Sequence, residues 1–248
     1  FNVAIRTIQL HKEKAIYGVG GGITWDSTWE SEYREVHQKA AVLYRKQARF
    51  QLITTGRISQ KQLLFEDQHL ERLTKASRYF AYPFDPEELR QKIEEECQSC
   101  EVNQDYRLRI SLNKSGEIEL SRQILTPLSL SFCKAKLCLQ KADLQQAFTY
   151  YKTTHRPHLS LGEQEIIYHN AAGELLETSI GNLVLKIAGK LYTPPTSLGV
   201  LSGIYRQHLL ETGQVEEKVL TLKDLAQAKD IYGCNAVRGM YELLLKEK

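Results

Sequence analysis

Residues 106–125, YRLRISLNKSGEIELSRQIL, alternate apolar and polar side chains on both sides of Asn113–Gly116. That is the pattern of two half-buried strands joined by a tight turn. Such a hairpin commits the chain to an antiparallel sheet with one apolar face, and that face needs helices or a second sheet laid against it. Helices are signalled just upstream. In QHLERLTKASRYFAYPF, residues Leu70, Leu73, Ala76 and Phe80 form one stripe that stops before Pro83. DPEELRQKIEEEC puts Asp85 at a cap position and Pro86 at the first helical position, the expected order for a helix start. Before them, RFQLITTG reads as a strand, Gly56 as a turn and KQLLFED as the returning strand.

LSLSFCKAKLCLQ adds another strand, and after residue 160 strands and turns follow one another through EIIYHNAAGELLETSIGNLVLKIAGKLYTPP, with Gly173 and Gly189 as punctuation. GVLSGIYRQHLLETG is a loop running into a helix, LTLKDLAQA is a short helix, and DIYGCNAVRGMYELLL is a strand, a turn and a final element. The expected class is α+β or mixed α/β, with antiparallel hairpins outnumbering βαβ units. At the other end, FNVAIRTIQL and IYGVGGGITW suggest a pair of strands with an open turn at Gly20, Gly21 and Gly22. STWESEYREVHQKAAVLYRKQARF then reads as a helix capped by Ser27 or Thr28.

Composition excludes several classes. The chain has 248 residues, and its 33 basic and 30 acidic side chains leave +3, too balanced for coating nucleic acid or an anionic membrane. No window approaches 18 uninterrupted apolar residues, so no membrane span is expected, and the first residues lack the order of a signal peptide. Five cysteines, an odd number, fit a reducing compartment, and the cytoplasm is the expected location. Cys97 and Cys100 form one CxxC without a second pair or spaced histidines, so they read as helix-end cysteines and no metal is expected.

Lys152 in TYYKTTHRP follows Phe148, Tyr150 and Tyr151. An apolar neighbourhood disfavours the ammonium form and frees the amine for Schiff-base chemistry, although the residues alone favour a lysine at a strand end. Glu177 in GELLETSIGNLVL is an acid inside an apolar strand. It needs a partner, either a protonated ring nitrogen or a structural one. GVLSGIYR puts Ser202, Gly203 and Ile204 at a helix N-terminus able to hold a phosphate, and GCNAVRG places Asn235 and Ala236 in a second possible anion nest. Arg72 in HLERL could supply a charged partner to the same phosphate.

In this order, HLxRL, YYKTT, GELxETxxGN, the TPP…GVLSGIYR loop and a late Asn-Ala turn resemble the fold-type IV pyridoxal-phosphate enzymes, the branched-chain aminotransferase-like class. Within it they are most similar to the 4-amino-4-deoxychorismate lyases, over roughly residues 48–248. The resemblance implies pyridoxal 5′-phosphate as cofactor and a two-subdomain fold with a short N-terminal extension. It makes Lys152 the Schiff-base lysine and Glu177 the carboxylate facing the pyridine nitrogen. Arg72, Ile204 and the Asn235–Ala236 turn would hold the phosphate, and His155 or Arg156 would meet the substrate carboxylates. A homodimer is implied too. Thr54 and Thr55 stand where many relatives carry an acid, and the tyrosine that aminotransferases keep after the lysine is missing, which counts against an amino-acid aminotransferase.

FNVAIRTI…GVGGGITWDSTWESEYREVHQKA resembles the C-terminal end of the chorismate-binding enzymes, specifically aminodeoxychorismate synthase component I. In that likeness Arg6 and Gly22 match residues that hold a substrate carboxylate, Glu32 and Glu35 match acids around a magnesium ion, and Lys39 follows one turn later. The expected layout is a remnant of that domain over 1–45, a small subdomain over 46–135 and a cofactor-binding subdomain over 136–248. The expectation for function is a lyase acting on 4-amino-4-deoxychorismate, fused to or associated with the synthase. An aminotransferase of the same fold and a non-catalytic scaffold remain the alternatives.

Overall fold

The computed structural model describes residues 7–44, 48–140, 147–160 and 162–245. Two compact units account for them, Phe1–Arg49 and Phe50–Lys248.

In the first unit, strands β1 (Ile8–His11) and β2 (Lys14–Tyr17) pair antiparallel, from Ile8 opposite Tyr17 to His11 opposite Lys14. The connection is Lys12–Glu13, with Lys12 at φ 55°. The glycines at 20–22 come after the hairpin and do not form its turn, which corrects the sequence expectation. Helix α1 (Trp29–Tyr44) starts at Thr28, whose hydroxyl accepts from the Ser31 amide at 3.3 Å. None of its residues is buried.

The second unit contains two sheets. The first has the order β4-β3-β5-β6, from β3 (Leu52–Ser59), β4 (Gln62–Leu63), β5 (Tyr106–Leu112) and β6 (Ile118–Ile124), all antiparallel. Helices α2 (Glu66–Phe80) and α3 (Pro86–Gln98) cover one face. Leu70, Leu73 and Ala76 of α2 and Leu89 and Ile93 of α3 pack on Leu52, Ile58, Leu108 and Ile110, all buried. The caps are those read from the sequence: Asp85 accepts from the Glu87 amide, and α2 ends at Ala81 in the left-handed region before Pro83.

Gly56 is not a turn. Strand β3 runs straight through it, and the reversal occurs at Gln60 and Lys61, both with positive φ. Glycine is needed there for a different reason: a Cβ would lie 2.6 Å from His69 Nε2 and 2.7 Å from Leu63 Cδ1. Helix α2 therefore approaches the sheet closely enough for His69 Nδ1 to meet the Thr54 hydroxyl at 2.6 Å.

The second sheet begins at Lys134, two residues before the boundary expected at 136. It comprises β7 (Lys134–Leu139), β8 (Ile166–His169), β9 (Leu175–Thr178), β10 (Asn182–Ile187), β11 (Lys190–Thr193), β12 (Glu216–Glu217), β13 (Asp230–Asn235) and β14 (Gly239–Leu245). The order is β12-β11-β10-β13-β14-β7-β8-β9, and β9 also pairs with β10 through Glu177 opposite Asn182. Six strands thus close into a ring. Short helices α4 (Leu130–Cys133) and α5 (Ala147–Tyr150) and helices α6 (Ile204–Glu211) and α7 (Leu222–Gln227) complete the unit. Val184, Leu209 and Val215 form the core beneath α6, and Leu183, Leu185, Leu220 and Leu225 the core beneath α7. All four residues of β9 are buried, so both of its faces are covered.

Candidate active site

A cavity of about 550 Å³ in the second unit gathers residues from both sheets. Six cationic side chains line it, Arg72, Arg107, Arg109, Lys152, Arg156 and Arg238, against one carboxylate, Glu177. That charge balance is unfavourable without an anion, so the cavity is built to receive negative charge.

Lys152 does not end a strand. It follows α5 and leads into Thr153, which forms an isolated bridge with Leu52, while the Lys152 carbonyl accepts from the Ile53 amide at 3.0 Å. The backbone is therefore pinned to β3 while the amine points to the cavity lining. Burial, followed by the charges of Arg72 and Arg156, brings the amine down from 10.5 to about 7, against the opposing pull of Glu177. Near neutrality much of it is an unprotonated nucleophile.

Glu177 sits at the seam where the ring of strands closes, 2 % exposed. Burial pushes its carboxyl up, and Arg156 opposes this through a 3.0 Å ion pair from Nη2 to Oε1. Arg156 is thereby committed to Glu177, and its Nε is buried without a partner among the described residues. His155 packs edge-on against Phe148 at 4.9 Å between ring centroids and is not part of the lining. Of the two residues expected to meet substrate carboxylates, one is engaged elsewhere and the other lies outside the cavity.

The expected anion-holding elements converge. Helix α6 begins at Gly203 with no side-chain cap, leaving its first amides directed at the cavity. A Cβ on Gly203 would collide with Asn182 Oδ1. Arg72 Nη2 donates to the Ser202 carbonyl at 2.6 Å, and Ser202 itself is exposed. Burial and then Arg156 lower the Arg72 guanidinium to about 10. Asn235 Oδ1 accepts from the amides of Val237 and Arg238 at 3.0 Å each, and its Nδ2 donates to the Ile180 carbonyl at 3.3 Å, which presents Ala236 to the lining.

Three features escaped the sequence reading. His69, fully buried, is held neutral: burial first, then Arg72 and Lys152, take its imidazole down to about 3. Glu165 is a second fully buried carboxylate, satisfied without a cation by the Ser179 hydroxyl, the Ile180 amide at 3.3 Å and the Tyr241 hydroxyl at 3.0 Å. It fixes the turn between Glu177 and Asn182. Arg107, Arg109 and Arg238 form the third feature. The period-two spacing of YRLRISL places the first two on one face of β5, yet that pattern usually marks a solvated face.

In the first unit, Arg6 lies outside the described residues. Lys39 Nζ pairs with Glu35 at 2.6 Å and donates to the Gly20 carbonyl at 2.9 Å, Glu32 accepts from the Ser27 hydroxyl at 2.7 Å, and Gly22 is exposed. Among the described residues no three His, Cys, Asp or Glu side chains come together as a metal site, and no helix is long and apolar enough to cross a membrane.

Comparison with known proteins places these features in context. Residues 51–243 match the model of the amino-transferase class IV family, and residues 1–45 match that of the chorismate binding enzymes. Over 128 residues the chain is 28 % identical to the aminodeoxychorismate lyase of Saccharomyces cerevisiae, covering 41 % of this chain and 34 % of that one. The chain thus spans about a third of the yeast relative's length. Among solved structures, a Mesorhizobium loti protein assigned to the amino-acid aminotransferases has a TM-score of 0.70 and 27 % identity, covering 79 % of this chain and 100 % of its own. The PLP-bound form of a hypothetical aminotransferase from Mycobacterium tuberculosis has a TM-score of 0.66 at 17 % identity, covering 79 % of this chain and 81 % of its own.

Proposed function

The chain belongs to the amino-transferase class IV family, and on that premise we propose that it is a lyase that splits 4-amino-4-deoxychorismate into 4-aminobenzoate and pyruvate. The observation that carries this reading is the company the class IV body keeps: one chain joins it to a segment matching the chorismate binding enzymes, whose chemistry concerns the precursor of that substrate. The yeast aminodeoxychorismate lyase among its relatives supports the same choice.

The cofactor is pyridoxal 5′-phosphate, and the cavity fits it. Its volume of about 550 Å³, the unpaired Lys152 amine, the uncapped start of α6 beside Arg72 and the buried Glu177 are the features such a group requires. Arg72, the α6 amides at Ile204 and the Asn235–Ala236 turn would hold its phosphate, and Glu177 would face its ring nitrogen. When bound, the cofactor supplies an electron sink for charge developing at the carbon that bears the substrate's amine.

The residues of the chain do the rest. Lys152 would hold the cofactor through its amine, and that same amine, when free, is the base the cavity offers. Lys152 then removes the proton from the amine-bearing ring carbon, a task suited to a base brought to about 7. The adjacent carbon–oxygen bond breaks, the ring becomes aromatic, and the enolpyruvyl group departs to be protonated as pyruvate. Substrate atoms are all accounted for in the two products, so neither water nor an oxidant is consumed. Arg156 opposes, through its ion pair, the upward push that burial gives the Glu177 carboxyl. The chain acts as a cytoplasmic homodimer joined to or associated with the synthase.

The test is to supply the loaded enzyme with 4-amino-4-deoxychorismate and no keto acid. Equal amounts of pyruvate and 4-aminobenzoate are expected. Product that appears only after a keto-acid acceptor is added would identify an aminotransferase instead.

A further inference from the structure

Arg107, Arg109 and Arg238 line the cavity from elements other than those that carry the cations already assigned. Arg107 and Arg109 stand two residues apart on β5, about 7 Å along the strand, on the face opposite the buried Leu108 and Ile110. Across the ladder they face Arg57 and Thr55 of β3. Arg57 is taken up by Asp105 at 2.7 Å. Arg238 enters from the turn between β13 and β14.

These three guanidiniums are underused. Each carries five N–H donors. Arg107 spends one on Gln123 Oε1 at 3.5 Å, and Arg238 spends one on the Thr126 carbonyl at 2.8 Å. Arg109 makes no hydrogen bond or ion pair among the described residues, and none of the three is paired with an acid there. Their mutual repulsion is felt: after burial, Arg109 holds Arg107 below the ordinary arginine range, and Arg107 acts on Arg238 in the same direction. By contrast Arg72 is fixed by Ser202 and Arg156 by Glu177. Uncompensated cations in a partly buried wall are stabilised only when an anion arrives, and three exceed what a single carboxylate needs.

We propose that Arg107, Arg109 and Arg238 form a second anion site that receives a dicarboxylate, and that Arg109 sets the preference for two carboxylates over one. Naming the two carboxylates as those of 4-amino-4-deoxychorismate rests on the lyase reading; the site itself does not. Lys152, Arg72 and all three of these arginines line the same cavity. The site supplies binding and orientation and takes no part in proton transfer.

Holoenzyme titrated with isophthalate and benzoate, followed by the change in cofactor absorbance, tests this. Isophthalate carries two carboxylates in a 1,3 relation on a six-membered ring, and benzoate carries one. The wild type should bind isophthalate at least tenfold more tightly. Arg109→Met should remove that preference, weakening isophthalate about 10- to 100-fold as charge-assisted hydrogen bonds are lost. Arg109→Lys should recover part of it. Arg238→Met should also weaken isophthalate, and an unchanged cofactor spectrum in each variant shows that the fold and the phosphate site persist. In turnover, the Arg109→Met loss should fall mainly on KM. Equal affinity for the two ligands in the wild type, or wild-type isophthalate binding in both Met variants, would overturn the proposal. A preference that disappears in Arg109→Met, from an enzyme that releases no pyruvate, would uphold the anion site and overturn the lyase reading.

Discussion

Lys152 should behave as a base with its midpoint near pH 7, more than three pH units below an ordinary lysine. With the amine brought from 10.5 to about 7, roughly half is unprotonated at pH 7, against about 1 in 3,000 for an unperturbed lysine. The sign follows from the direction of the shift: the amine is charged below pH 7 and neutral above it. Protein stripped of cofactor and mixed with pyridoxal should therefore form a borohydride-trappable adduct at Lys152 at a rate that climbs about tenfold per pH unit up to pH 7 and then levels off. Pyridoxal, which lacks the phosphate, keeps Arg72 out of the binding step. Arg72→Met removes the largest cationic contribution and should move the midpoint upward. The same depression means that the folded protein resists protonating this amine. Lys152→Met should therefore raise Tm relative to wild type below pH 7, with the gain fading as pH approaches 10.5. A trapping rate that keeps climbing tenfold per unit through pH 9 would refute the argument, because it would place Lys152 in an ordinary solvated environment.

Three further outcomes follow from the site. Glu177→Gln should keep the cofactor but slow pyruvate release by orders of magnitude in single turnover, since an amide cannot hold a ring nitrogen protonated; near-native rates would make Glu177 a purely structural acid. Gly203→Ala puts a methyl group into Asn182 Oδ1, breaks the bond from Asn182 to the Leu201 carbonyl and displaces the first amides of α6. Cofactor affinity measured by spectral titration should fall at least tenfold, and unchanged affinity would remove that terminus from the phosphate site. Deleting residues 1–44 should leave pyruvate release intact, because the cavity is lined by residues between 53 and 238. Loss of that activity on deletion would contradict this.

Where local rules act alone, the sequence was a faithful guide. Asp85 and Pro86 start α3, the Leu70, Leu73 and Ala76 stripe faces the sheet, and Asn113–Gly116 turns the hairpin, because each depends on neighbours a few residues away. Glycine misled twice for one reason. Gly56 is demanded by His69, thirteen positions downstream, and the glycines at 20–22 follow a turn made by Lys12 and Glu13, so a glycine announces conformational or steric freedom without saying which. At the site, the order of motifs led to Lys152, Glu177 and Arg72, and the cavity does bring them together. Neither the commitment of Arg156 to Glu177 nor the displacement of His155 onto Phe148 could be read from HRP, since the first depends on which strands meet at the ring seam and the second on where the chain after Lys152 comes back to α5. Glu165 left no signal at all: in GEQEIIYH an acid before a strand looks solvated, and its three donors come from residues 179, 180 and 241.

The strand order of the larger sheet bears on how such a molecule comes into being. Strand β14, the last of the described strands in sequence, lies between β13 and β7 and joins the two arcs of the ring. A nascent chain that has emerged through residue 235 has every lining residue but three of the cavity, Ala236, Val237 and Arg238, yet lacks the strip that joins β7 to β13 and the Tyr241 hydroxyl that supports Glu165. Until that strip emerges from the ribosome, β7 and β13 expose unpaired edges of the sort that recruit neighbouring chains. The chemistry of the site therefore waits for β14, and a truncation within that strand should yield aggregation in the cell instead of a weakened enzyme.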